Sequence, residues 1–295
     1  MVTRAQKLTA FVVVAIFAFL FAAPLAQSRN SGSAPRRIVS LVPAITEMLF
    51  AIGAGPQVVA VSSYDEFPAE VKALPKVGAL LDPDTERILA LRPDLVVGYG
   101  AQSERHTQRD RAGLRAFTYR HGGIATTLNT IREVGVATGH RAESDALVSS
   151  LQARLDAVRE RVKGRPQPRT LLVFERQPGT LREVYASGGV GFLHEMLEIA
   201  GGRNVFAEVE RESVQPSIET LLARAPDVIL EVRAAGLIEK TTAADRDAWS
   251  VLSSIPAVRN RRVLLLAGDY LVVPGPRLAT ATEALARALH PDAFK

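Results

Sequence analysis

Tyr64, Tyr99, Tyr185 and Tyr270 each fall at or just after the end of a stretch that reads as a β-strand. In α/β folds the carboxyl ends of strands open onto the ligand crevice. A tyrosine there offers a flat apolar face and one hydroxyl, suited to a macrocycle whose rim carries amides. One such tyrosine is as readily a half-buried packing residue; four at strand ends point to a binding cleft. The histidines are His106, His121, His140, His194 and His290, with no pair at i, i+4 and no carboxylates at ligand spacing. No metal centre is expected. His194 reads as a helix-surface or packing residue, and His106, in a polar stretch past Tyr99, reads better as a loop residue than as one approaching a bound metal complex.

Catalytic signatures are missing. The chain has no Gly-x-x-x-x-Gly-Lys phosphate loop, no Gly-x-Ser-x-Gly elbow and no His-Glu-x-x-His. The run Gly188-Gly189-Val190-Gly191 reads better as a turn that lets the following helix pack close than as an anion site. With no cysteine, disulfides, thiolate metal sites, cysteine nucleophiles and a lipid-modified cysteine are excluded. The residues describe a binding protein without catalytic residues or cofactor.

The elements that position these side chains alternate as βα units. Arg37–Leu41 reads as a strand broken by Pro43, with Thr46 capping a helix to Gly53. Val58–Ser62 is a second strand. Glu86–Leu91 is a short helix stopped by Pro93, and Asp94–Val97 a strand. From Ala142 to Val162 there is no Gly or Pro, and Leu147, Leu151, Leu155, Val158 and Val162 recur at spacings of three or four. That predicts one long amphipathic helix. Arg165–Pro168 ends it, and strand–helix alternation resumes at Thr170. Trp249 reads as core. The expected fold is α/β, two Rossmann-like lobes joined by a single long helix. The lobes are set at 36–138 and 166–295, with the helix at 139–165.

A partial repeat supports two related halves. Glu86 to Val97 and Glu219 to Leu230 match in Glu, Ala, Pro and Asp at an offset of 133, and in apolar pattern. Helix–Pro-Asp–strand is also a common connection, but these copies flank the long helix. Two similar lobes leave a cleft between them, a preferred place for ligands. Glu86 and Glu219 stand near helix starts, where the dipole favours acid.

The flanks and bulk set the compartment. Arg4 and Lys7 precede an almost purely apolar Leu8–Leu25, followed by Ala26-Gln27-Ser28. This is the layout of an export signal over residues 1–28, cleaved or retained as an anchor; 29–35 is a linker. The formal charge of +5, spread along the chain, does not favour nucleic acid.

Arg37 to Glu47, Val61 to Pro68, Pro75 to Gly78, the Glu86 block, Gly201 to Phe206 and the Glu219 block resemble, in order and spacing, the helical-backbone (class III) substrate-binding proteins of ABC importers. The resemblance covers about residues 36–290. It implies a periplasmic protein that passes a small molecule to a permease dimer with its ATPase subunits, with limited hinge motion. Within the family the pattern is most similar to the vitamin B12-binding members, which implies a corrinoid such as cobalamin; haem or a ferric siderophore is the alternative. It further implies that Tyr64 and Tyr99 contact ligand from one lobe and Tyr185, Asp269 and Tyr270 from the other. Glu86 and Glu219 would dock onto the permease. Leu80 and Ser213 stand where vitamin B12 binders have tryptophans, and Ala79 and Leu80 where a haem binder would supply a tyrosine. Arg176 and Arg233, after strands, are the cations a siderophore would need.

Overall fold

The strands β1 (Ile38–Ser40), β2 (Val58–Val61), β3 (Leu95–Tyr99) and β4 (Arg115–Tyr119) form a parallel sheet in the order β2-β1-β3-β4. The computed structural model describes residues 34–99, 115–233 and 247–295. The expected export signal and His106 lie outside the described residues. Helices α1 (Pro43–Ala51) and α3 (Ile124–Thr138) bury Ile45, Met48 and Ile131 against one face of this sheet, and α2 (Thr85–Ala90) sets Ile88 against Val39 and Val96 on the other. Burial on both faces is why β1, β2 and β3 are apolar runs and do not alternate, whereas the edge strand β4 is largely exposed.

The second sheet runs β10-β9-β5-β6-β8 and is built from β5 (Arg169–Glu175), β6 (Tyr185–Ser187), β8 (Ser213–Val214), β9 (Val228–Arg233) and β10 (Val263–Ala267), with β7 (Arg203–Asn204) also on β5. β5, β9 and β10 are parallel, and β6 is antiparallel to β5. Helices α5 (Phe192–Ile199) and α8 (Leu278–Leu289) cover one face. On the other lie Leu221 of α6 (Ile218–Arg224), Ala257 of α7 (Pro256–Arg259) and the buried Trp249, as expected for a core tryptophan.

Between the sheets in sequence runs α4 (Arg141–Val162), whose 22 residues span about 33 Å. Val148, Leu151, Leu155, Val158 and Val162 are buried, with Leu147 only half-buried at the stripe's edge. One apolar core continues from Ile38 and Ile45 through Leu151 and Leu155 to Leu285 and Leu230. Residues from Pro35 to Lys295 accordingly form one compact unit. Polar ties reinforce this core. Glu195 of α5 accepts from the Ile124 amide at 2.7 Å, capping α3, and Arg154 of α4 donates to Glu283 and Thr280 of α8 at 3.0 and 2.9 Å.

One local expectation is corrected. Pro43 does not separate strand from helix; it opens α1 after Val42, because a proline at the first helical position loses no hydrogen bond. Thr46 is therefore inside the helix and not its cap; its hydroxyl, fully buried, donates to Ser40 Oγ at 2.8 Å.

The repeat is structural as well as sequential. Asp84 caps α2 by accepting from the Arg87 amide, and Ser217 caps α6 by accepting from the Thr220 amide. Each helix stops at a left-handed non-glycine residue, Arg92 (φ 47°) and Ala225 (φ 42°). The aspartate of each Pro-Asp pair then accepts from a backbone amide beside the adjacent parallel strand, Asp94 from Arg37 at 2.9 Å and Asp227 from Arg169 at 3.1 Å. The side chains of those two arginines return to the helix ends, Arg37 to Leu91 O and Arg169 to Arg224 O.

Candidate ligand cleft

The carboxyl ends of the parallel strands converge on a cleft. A cavity of about 620 Å³ is lined from the first half by Leu41, Pro43, Tyr64, Leu80 and His121 and from the second by Val272, Val273 and Pro274. A smaller one of about 310 Å³ shares His121 and Val272 with it and continues past Phe174, Phe192, Glu212 and Ser213. Leu41 follows β1, Tyr64 follows β2, His121 follows β4 and Phe174 nears the end of β5. The sheet topology therefore brings these distant segments together.

A tight turn presents Tyr64. The buried Asp65 carboxylate accepts from the Ser62 amide and hydroxyl at 2.8 and 2.6 Å, the Tyr64 amide donates to Ser62 Oγ, and Lys76 Nζ donates to Asp65 O. Burial raises the Asp65 carboxyl above its usual range against the opposing pull of Ser62 and Thr46. The backbone is fixed while the Tyr64 ring stays 72% exposed. Next to it, Gly78 has φ +80° and a β-carbon there would meet Asp82 O at 2.5 Å and Asp84 N at 2.9 Å. That close approach lets Ala79 and Asp82 bond each other's backbones and hold Leu80 and Leu81 out as an apolar tip.

The second wall is anchored to the first half. After β10 a turn at Asp269–Leu271 leads to Val272–Pro274 and then Arg277. Arg277 donates through Nε and Nη2 to Glu47 of α1 at 2.8 and 2.5 Å, and its guanidinium lies 4.0 Å from the centre of the Phe67 ring and 5.9 Å from that of Tyr270. Burial pushes the Glu47 carboxyl up, and Arg277 opposes this.

His121 stands at the meeting point of both cavities. Its Nδ1 is 3.3 Å from Tyr119 Oη and its Nε2 3.5 Å from Glu212, and its ring meets Phe192 edge-on at 5.7 Å. The sequence alone gives it no role, because β4 carries too little β-branched content to read as a strand. With that strand known, His121 obeys the same strand-end rule as the tyrosines.

Tyr64 lines the cleft. Tyr99 closes β3 opposite Tyr119 of β4, and its side chain lies outside the described residues. Tyr185 opens β6; because β6 is antiparallel it still pairs with Glu175 at the end of β5, and its ring lies 6.4 Å from Phe174, which forms the wall. Asp269 and Tyr270 occupy the turn that leads into that wall. Glu86 and Glu219 are exposed on α2 and α6, away from the cleft lining. The Ser217 hydroxyl holds the Glu219 carboxyl below its usual range. Arg176 and Arg233 are both paired with the buried Glu231, which also accepts from Trp249 Nε1 at 3.1 Å.

Residues 38–270 match the model of the periplasmic binding protein family. This chain belongs to that family. The periplasmic binding protein is 31% identical to an uncharacterised ABC transporter substrate-binding lipoprotein of Bacillus subtilis, over 88% of this chain and 82% of the relative. It is also 31% identical to the vitamin B12-binding protein of Salmonella typhimurium, over 86% of this chain and 90% of that one. A solved periplasmic heme-binding protein from Roseiflexus sp. RS-1 superposes with a TM-score of 0.71 at 28% identity, covering 88% of this chain and 99% of that one. These are substrate-binding proteins of transport systems, and the chain is accordingly a binding protein of the ABC transporter type and not an enzyme. Leu80 and Ser213, the expected departures from tryptophan, both line the cleft of this periplasmic binding protein.

Proposed function

We propose that this chain captures a corrinoid in the cleft and delivers it to the permease of an ABC importer. The observation that carries the ligand class is the chemistry of the lining. Broad apolar walls surround groups able to carry charge near neutral pH that, among the described lining residues of the two cavities, are Asp82, His121 and Glu212; Tyr64 and Tyr119 add neutral hydroxyls. Carboxylates repel the propionates of haem and the acidic groups of many ferric siderophores, and they accept from amide donors such as those on a corrinoid rim. Arg176 and Arg233, the cations a siderophore would use, are engaged with Glu231. The vitamin B12-binding relative supports the same reading.

Titration of the purified protein with cobalamin and with haem tests it. Wild type is expected to favour cobalamin, and the double variant Asp82→Asn, Glu212→Gln to bind haem about tenfold better than wild type, two like-charge repulsions of roughly 1 kcal/mol each having been removed in part. Saturation by haem without saturation by cobalamin overturns the assignment.

Delivery is assigned to Glu86 and Glu219, presented on the exposed surface of the repeated helices. Their exchange for alanine is expected to leave ligand affinity unchanged and to cut uptake into vesicles carrying the permease and ATPase. Export by the apolar N-terminal segment, cleaved or retained, completes the reading.

A further inference from the structure

The two repeated helices share more than a glutamate. Ile88 and Leu221, equivalent in the repeat, both point into the core. One residue later, Leu89 is 45% exposed and Leu222 is 41% exposed. Large apolar side chains left in water at both copies of a repeat need a common explanation, since one exposed leucine alone is ordinary. Residues i and i+3 lie on the same helix face. Each half thus presents a glutamate and, one turn on, a leucine: Glu86 with Leu89, and Glu219 with Leu222.

We propose that Leu89 and Leu222 are the apolar anchors of the surface that meets the permease, each set beside a glutamate that orients the approach. This rests on the docking reading above and adds the part that holds the complex once formed. The occupant follows from the repeat. Matching caps, left-handed helix ends and Pro-Asp anchors fix the two pairs in equivalent local frames. A partner that uses both copies carries two equivalent receptor sites, as a dimeric permease does, each with a cation for the glutamate and a small apolar pocket for the leucine. Surface charges act on encounter and are screened by salt, whereas buried apolar contacts set the rate of leaving.

The test uses full-length protein and the cognate permease–ATPase complex in lipid nanodiscs, with association and dissociation rates recorded at low and high salt. Leu89→Ser with Leu222→Ser is expected to speed dissociation roughly tenfold or more at both salt concentrations. Glu86→Ala with Glu219→Ala is expected to slow association at low salt only. The single leucine variants should have similar effects, and Val251→Ser, a 74% exposed valine outside the repeat, should have none. Unchanged thermal melting and unchanged cobalamin affinity exclude misfolding as the cause. Wild-type dissociation rates in the leucine double variant, with slowed association in the glutamate variant, overturn the proposal and leave the docking glutamates standing. No effect in either variant, or no complex with wild type, overturns both.

Discussion

Replacing Arg277 by Met removes the one guanidinium that the buried Glu47 carboxylate meets on both oxygens, at 2.8 and 2.5 Å. Glu47 is 4% exposed and the Arg277 side chain 21%, so water replaces little of the lost partner. Asp65 and Asp269 stand near enough to push the Glu47 carboxyl up further. Breaking such a pair from one side costs about 3–5 kcal/mol, and the stack on Phe67 adds about 1 kcal/mol. The pH dependence has a defined sign. Burial raises the Glu47 carboxyl above the ordinary glutamate range in the folded protein, so the native state holds the proton more tightly than the unfolded chain. Its contribution is most favourable below the unfolded pKa and is lost as pH rises through the folded one. Without Arg277 the folded value climbs and that window extends upward. Urea unfolding should therefore show a larger deficit for Arg277→Met at pH 8 than at pH 5. The double variant Glu47→Met, Arg277→Met should recover most of it, because neither charge is then buried. A deficit below about 1 kcal/mol, or one equal at both pH values, would refute the argument that this pair fixes the second wall of the cleft.

Tyr64→Ala should weaken cobalamin binding several-fold, by loss of about 1 kcal/mol of stacking, with the melting temperature unchanged; calorimetry and a thermal scan read both. Gly78→Ala should cost about 2 kcal/mol in urea unfolding and weaken ligand binding as well, since its positive φ and the Asp82 carbonyl shape the Leu80–Leu81 tip. Asp94→Ala and Asp227→Ala should destabilise by similar amounts, about 1–2 kcal/mol each, because they anchor equivalent strands; unequal costs by denaturation would argue that the two units are not equivalent.

Elements with strong periodicity or punctuation were legible in the sequence. The stripe from Leu151 to Val162 and the two helix–Pro-Asp–strand units are set by local burial and by caps that the chain carries beside them. Legibility failed where tertiary contacts decide. Thr46 looks like a cap and is a buried helix residue, because Pro43 supplies the helix start. β4, Arg115–Tyr119, is held by pairing with β3, so neither it nor His121 behind it leaves a local signature in the sequence. The Glu47–Arg277 pair spans 230 residues and leaves no local trace. The sequence puts Tyr185 at a strand end, whereas antiparallel pairing brings the start of its strand there and leaves Phe174 as the wall.

The central claim is that the cleft between the two sheets selects a corrinoid. Isothermal titration of the purified protein with cobalamin, and separately with haem, measures it directly. Saturable one-to-one binding of cobalamin, weakened by Tyr64→Ala, with haem bound more weakly, is the predicted result. Saturable binding of haem alongside no heat from cobalamin would contradict it.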